Sequence, residues 1–330
     1  MRAVAKAHAN IALVKYWGKR NESLILPMNG SISMTLRELS VVTAVEFHPR
    51  WQTDQLIING SDASRTDLER MTRFLNIVRD LAQTDWRAHV VSRGNVPLAS
   101  GLASSSSAYA ALATASTEAL RLHLDRTHLS ILARQGSGSA ARSIYGGFVE
   151  WTKGERDDGT DSYARLLCSP DSWDLSMVIA IVGYGAKKIS SREGMARVVA
   201  TSVFYRDWLN TVDDDLDNAR RAILQRDFTT LGQITEASTY KMHATTMGAS
   251  PPFCYWQAPT LEVIHQVERL RDHGIECYAS VDAGPHVGIL CKDVNAHRIC
   301  EAVSGILGIA HVLITRPGPE TKIEESFNEA

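Results

Sequence analysis

No apolar run in the chain approaches the roughly 20 residues needed to span a bilayer, which excludes a transmembrane helix. The longest apolar stretch, Met177-Val178-Ile179-Ala180-Ile181-Val182, has the length of a buried strand. Cysteine is scarce: Cys168, Cys254, Cys277, Cys291 and Cys300 are odd in number and show no Cys-x-x-Cys spacing. Reduced core thiols in the cytoplasm are therefore expected, rather than a disulfide framework or a thiolate metal site. An excess of one charge is missing too. The 35 Lys and Arg against 37 Asp and Glu leave a net charge of −2, which argues against a basic nucleic-acid surface. An anionic ligand would have to be met by a local cluster of cations. The start, Met1-Arg2-Ala3-Val4-Ala5-Lys6, has neither an apolar core region nor a small-residue cleavage pattern, so no secretory signal is expected. Without one, the Asn-x-Ser matches at Asn21, Asn29 and Asn59 carry no weight as glycosylation sites. Internal repeats and low-complexity linkers are absent.

What remains is ordinary globular material: 330 residues, 44% hydrophobic and 22% charged, enough for two packed lobes or one large α/β unit. Strand signals crowd the first sixty residues, at 11–14, 31–36 and 41–45, with Pro27, Asn29 and Gly30 between them, and predict an antiparallel meander. Residues 64–83 turn to helical periodicity, with Leu68, Met71, Phe74, Leu75, Val78 and Leu81 on one side. A short strand near 88–92, a loop at 94–103 and a small-residue helix from about Ser104 to His123 follow. After a Gly/Ser stretch at 136–147 and a strand at 147–152, the chain reads as mostly helical from about 190 to 273. Two short strands near 277–281 and 286–291 then flank Asp282-Ala283-Gly284-Pro285. Strands and helices mix without regular βαβ alternation, which favours α+β architecture with mixed or antiparallel sheets. The expected division is an N-terminal lobe over 1–185 and a helical C-terminal lobe over 186–330. No Pro/Gly linker marks it, so an extensive interface between lobes is expected.

Four segments carry candidate chemistry. In Pro97-Leu98-Ala99-Ser100-Gly101-Leu102-Ala103-Ser104-Ser105-Ser106-Ser107, Gly101 allows backbone conformations closed to other residues. The serines bring hydroxyls to a helix start, where unpaired N–H groups and partial positive charge suit phosphate. A Ser-capped, close-packed helix that binds nothing would read the same way. It is not a Walker A loop, since no Gly-Lys-Ser/Thr follows. In Gly136-Ser137-Gly138-Ser139-Ala140-Ala141-Arg142-Ser143, hydroxyls and a guanidinium within a few residues suit a multiply charged oxyanion; a flexible surface loop is the alternative. In Asn10-Ile11-Ala12-Leu13-Val14-Lys15-Tyr16-Trp17-Gly18-Lys19, alternation puts Lys15 and Tyr16 on opposite faces of a strand. A half-buried Lys15 needs a partner, because unpaired buried charge is costly, whereas Lys19 also fits a solvated surface lysine. In Ser280-Val281-Asp282-Ala283-Gly284-Pro285-His286, Asp282 is either a turn-capping residue or a positioned general base, and His286 reads as structural.

Taken together, these blocks resemble the diphosphomevalonate decarboxylases, a branch of the GHMP small-molecule kinase superfamily. The likeness extends through Leu26-Pro27-Met28-Asn29-Gly30-Ser31-Ile32-Ser33, Met242-His243-Ala244-Thr245 and Pro251-Pro252-Phe253, in family order over nearly the whole chain. Lys15-Tyr16-Trp17-Gly18-Lys19 and Asp282-Ala283-Gly284-Pro285 are particular to the decarboxylase branch. Met28, Gly30 and His286 depart from residues found in some members, without removing a proposed charge.

The resemblance implies a GHMP kinase-type two-lobed fold and an ATP- and Mg²⁺-dependent reaction on mevalonate 5-diphosphate. The tertiary 3-hydroxyl is phosphorylated, then phosphate and CO₂ leave to give isopentenyl diphosphate. It implies catalytic roles for Asp282, which handles the 3-hydroxyl, for Lys15, which keeps Asp282 ionised, and for Ser105, aimed at the ATP phosphates. Tyr16, Lys19, Arg70, Ser137, Ser139, Arg142, Ser191 and Arg192 fall on substrate-binding positions. Asn95, Gly101, Leu102, Ala103, Ser104, Ser105 and Ser106 fall on nucleotide-binding positions, with no protein metal ligand assigned. A homodimer is the expected assembly, with neither nucleic acid nor membrane as a partner. Mevalonate 5-phosphate as substrate, a kinase that stops at phosphorylation, and a non-catalytic nucleotide-binding protein are the alternatives.

Overall fold

The computed structural model describes residues 1–95, 104–183 and 188–327. The first strands are β1 (Arg2–Val14), β2 (Lys19–Asn21), β3 (Leu26–Pro27), β4 (Ser31–His48), β5 (Gln55–Ile58) and β6 (Ser61–Asp62). They lead into α1 (Arg65–Ala82), β7 (Arg87–Gly94), α2 (Ser104–Ala119), α3 (Arg126–Gly136), α4 (Ala140–Ser143), β8 (Phe148–Trp151) and β9 (Ala164–Cys168). The rest comprises β10 (Leu175–Val182), α5 (Ser191–Thr201), α6 (Tyr205–Gln225), α7 (Phe228–Met247), α8 (Ala258–Asp272), β11 (Cys277–Val281), β12 (Val287–Lys292), α9 (Ala296–Ser304), β13 (Ile309–Thr315) and β14 (Lys322–Glu324).

Two larger sheets organise the chain. The first runs β14-β1-β4-β7-β5-β6, with β8 and β9 continuing from the start of β4; the second runs β11-β12-β10-β13. β1 lies antiparallel to β4, as the meander predicts, but 31–48 forms one long strand where two were expected. Its first part pairs with β8 and its second with β7, so one strand serves two partners in succession. The sheets interleave in chain order. β10, ahead of the expected division at 185, is interior to the second sheet, and β14, after it, joins the first.

Helix α1 is capped by Ser64, whose hydroxyl accepts from the Asp67 N–H at 3.1 Å, satisfying one of the donors a helix start leaves open. Met71, Phe74, Leu75 and Val78 are buried as the periodicity requires, but Leu81, in the last turn, is exposed. α2 is shorter than expected, ending at Ala119. Its buried Ala110, Ala111, Ala113 and Ala115 let the backbone approach the first sheet closely. One apolar cluster packs β1, β4 and β7 against α1–α3, a second packs α8 and α9 on the second sheet, and a third joins both sheets to α6 and α7. That third cluster ties the two sheets together through a shared core. The described residues include no helix long and apolar enough to cross a membrane.

Candidate active site

The site begins where β1 stops. The strand ends at Val14 rather than running through Lys15 and Tyr16. Its register shifts between Ala12 and Val14, and the Lys15 N–H leaves the ladder to donate to the Ser238 hydroxyl on α7 at 3.0 Å. The Lys15 side chain is 2% exposed and spends its three donors on Ala12 O at 2.8 Å, Ser280 Oγ at 2.8 Å and Asp282 Oδ1 at 2.7 Å. Burial lowers the Lys15 ammonium from its usual range, opposed by the carboxylate of Asp282. Asp282 itself follows β11, and its side chain is 28% exposed. One carboxylate oxygen is fixed by Lys15; the other makes no hydrogen bond among the described residues. A turn-capping role is thereby set aside in favour of a held, accessible carboxylate.

Arg142 lies on the short buried helix α4, where a flexible loop was the alternative. Its Nε and Nη2 donate to Asn10 Oδ1 at 3.2 and 3.0 Å, and Nη1 donates to Ser31 Oγ. The Asn10 amide in turn donates to Ser139 O at 3.1 Å and Ser143 Oγ at 2.8 Å. Burial lowers the Arg142 guanidinium to about 10, against the charges of Asp282 and Tyr16, which favour the cation. Asn10 was only part of a motif in the sequence. Its signal was a polar residue inside the apolar run of β1, where burial demands partners. Ser280 and Ser31 gave no comparable signal.

Tyr16 packs edge-on against Trp151 with centroids 4.8 Å apart. Its buried hydroxyl has no hydrogen-bond partner among the described residues, and burial, then Glu22, suppress its ionisation while Arg142 and Arg192 oppose them. Ser105, exposed in the first turn of α2, stands 3.2 Å from Ser137 Oγ, which stands 3.4 Å from Ser139 Oγ. The two serine-bearing segments thus meet. Lys19, largely buried, is ion-paired with Glu22, so its charge is already compensated. Arg70 is exposed on α1, and Ser191 and Arg192 lie in the first turn of α5. Among the described residues Arg70, Arg142 and Arg192 have no carboxylate partner.

Asn95 is engaged in the sheet, its amide oxygen accepting from Ser40 N at 2.9 Å and its NH₂ donating to Glu38 O at 2.7 Å. Ser106 is buried. Gly101, Leu102 and Ala103 lie outside the described residues, as does the side chain of Ser104. His286 is buried, and its Nδ1 accepts from Val182 N at 3.0 Å. No group of three or more His, Cys, Asp or Glu suited to a metal occurs among the described residues.

Comparison with known proteins shows the family. A diphosphomevalonate decarboxylase-like N-terminal domain matches residues 7–164, and a mevalonate 5-diphosphate decarboxylase C-terminal domain matches 177–326. Diphosphomevalonate decarboxylase mvd1 of Aspergillus fumigatus is 34% identical over 329 residues, covering 93% of this chain and 81% of the relative. Among solved structures, mevalonate diphosphate decarboxylase from Staphylococcus aureus superposes with a TM-score of 0.93 at 41% identity, over 98% of each chain. MDDEF in complex with MVAPP, AMPPCP and magnesium superposes at 0.92 with 42% identity, over 99% of each. The chain belongs to the diphosphomevalonate decarboxylase family.

Proposed function

We propose that this protein carries out the ATP-dependent decarboxylation of mevalonate 5-diphosphate to isopentenyl diphosphate, with ADP, phosphate and CO₂ as the other products. The observation that carries the proposal is the carboxylate of Asp282, fixed at 2.7 Å by a fully engaged Lys15, beside a set of guanidiniums without carboxylate partners. A solved relative described with MVAPP, AMPPCP and magnesium supports it.

In this reading Asp282 receives or orients the 3-hydroxyl on its unengaged oxygen. Lys15, with every proton committed, fixes the carboxylate's position. Ser105, joined to Ser137 and Ser139 through neighbouring hydroxyls, turns donors toward transferring phosphate. Tyr16, Lys19, Arg70, Ser137, Ser139, Arg142, Ser191 and Arg192 hold the diphosphate and carboxylate. The surplus of cations offsets an anion that the net charge of −2 would not attract. Positioning and charge stabilisation carry most of the rate enhancement. In this reading bound substrate and nucleotide would exclude water as the 3-phosphate and CO₂ depart.

Asn95, Gly101, Leu102, Ala103, Ser104, Ser105 and Ser106 are proposed to contact the nucleotide. Mg²⁺ prefers oxygen ligands and keeps few protein ones beside substrate phosphates. In this proposal it would be held by those phosphates, with the Ser105 hydroxyl the candidate protein oxygen. When bound it supplies charge neutralisation. The proposed lobes, 1–185 and 186–330, are joined through β10, and the proposal includes a homodimer in the cytoplasm. Light scattering on the purified chain tests the assembly.

The size of the substrate is tested by turnover on mevalonate 5-diphosphate and mevalonate 5-phosphate side by side. The diphosphate is expected to be the better substrate; activity confined to the monophosphate overturns the assignment.

A further inference from the structure

Tyr109 is absent from the roles assigned so far, yet several elements converge on it. It lies on α2 one turn beyond Ser105, at the i, i+4 spacing that puts both side chains on one face of the helix. Its ring meets Phe74 of α1 edge-on, with centroids 5.4 Å apart. Arg70 precedes Phe74 by one turn on that helix, so the same spacing brings its guanidinium to the Tyr109 side.

Gly136 closes the third side. A Cβ built there would stand 2.0 Å from the Tyr109 ring, so only glycine lets the segment bearing Ser137 lie flat on the aromatic face. Ser137 is the residue whose hydroxyl meets Ser105 at 3.2 Å. Burial suppresses ionisation of the Tyr109 phenol, opposed by the charges of Arg70, of Arg192 in the first turn of α5 and of Arg73, while Asp67 acts with burial. The hydroxyl makes no hydrogen bond among the described residues.

We infer that Tyr109 is a specificity-determining positioning residue, seating Arg70 from one lobe and Arg192 from the other around the distal phosphate of the substrate's diphosphate. This rests on the proposed function, because it concerns the same site. The ring fixes the Ser105 and Ser137 edges, and the phenol oxygen, a donor as well as an acceptor, bridges the guanidiniums and the outer phosphate. The proximal phosphate and carboxylate, held by Arg142 and the serines, do not depend on the phenol oxygen. Tyr109 therefore favours the diphosphate over the monophosphate rather than favouring the reaction as such.

The test is Tyr109→Phe, which keeps the ring and its packing on Phe74 and Gly136 and removes only the oxygen. Steady-state kinetics on both substrates are read together with direct binding of inorganic pyrophosphate and of orthophosphate to the full chain. The expected result is a KM for mevalonate 5-diphosphate raised about tenfold, the loss of one hydrogen bond to charged groups, with kcat and the KM for ATP unchanged. Pyrophosphate binding weakens in parallel and orthophosphate binding does not. The double variant Arg70→Met/Tyr109→Phe loses less than the two single losses multiplied, since the residues act on one phosphate. Equal losses on both substrates, a fall confined to kcat, unchanged pyrophosphate binding, or a fully multiplicative double variant each overturn the inference. Failure of the wild-type chain to release CO₂ from mevalonate 5-diphosphate counts instead against the proposed function, while the pyrophosphate measurement still judges Tyr109.

Discussion

Lys15 and Asp282 are coupled through one 2.7 Å contact, and their fates under mutation should differ accordingly. Asp282→Asn keeps the shape but removes the base, and kcat is expected to fall about 10³-fold, within the range for a positioned acid or base, while ATP binding persists. Near-normal turnover in that variant removes Asp282 from its role. Arg142 has a different dependence. Its fork engages Asn10 and Ser31, a geometry that an ammonium cannot reproduce. Arg142→Lys should raise the KM for substrate roughly tenfold, and unchanged kinetics would take Arg142 out of the site. His243 gives a pH prediction. Burial pushes its imidazolium down to about 3 from 6.5, and its Nε2 faces Val281 O at 3.2 Å. Between those values the unfolded chain holds more protons than the native one, so stability falls as pH drops through the window. The slope contributed by one such group is at most about 1.4 kcal/mol per pH unit. In His243→Gln the fall in Tm between pH 6.5 and 5 should flatten, and an unchanged slope contradicts the assignment.

Among the elements, β8 and α6 carry the clearest energetic link between lobes outside the apolar core. Glu150 on β8 is buried and accepts from Arg220 Nη2 at 2.8 Å and Arg220 Nε at 3.0 Å, and from Arg165 Nη2 at 3.0 Å. Burial opposes ionisation of this carboxyl, but Arg220 and Arg165 outweigh it and hold it below the usual range. Its contribution is present above the unfolded value of 4.5 and is lost as pH falls through the native one. Glu150→Gln leaves Arg165 without its carboxylate and Arg220 with Asp217 alone, and should cost about 1 kcal/mol, since both guanidiniums reach solvent; an unchanged denaturant midpoint contradicts this. Such links were the least legible part of the chain. Helical periodicity located α1, and apolar runs located β10, β11 and β12, because local pattern decides those elements. The point where β1 ends was invisible, since it depends on Ser238, more than two hundred residues away. The same holds for Asn10 and Arg142, which meet only after β1 and α4 have packed. Asp282 and Lys15 were legible because each stands as a charge against an apolar strand. Tyr109 was hidden as one more aromatic on a small-residue helix.

At the scale of the whole molecule, the two sheets share an apolar cluster with α6 and α7, and the candidate residues come from both sides of it. Lys15, Arg142 and Ser105 belong to the chain before 185; Asp282, Ser191 and Arg192 follow it. The carboxylate and the lysine that fixes it are thus contributed by distant parts of the chain. The central claim is that this assembled site couples phosphoryl transfer to loss of the substrate carboxylate. The most direct measurement supplies the purified chain with ATP, Mg²⁺ and mevalonate 5-diphosphate labelled at the carboxylate, and counts ADP and labelled CO₂ together. One CO₂ released for each ADP formed is the predicted result; ADP accumulating without CO₂ would contradict it.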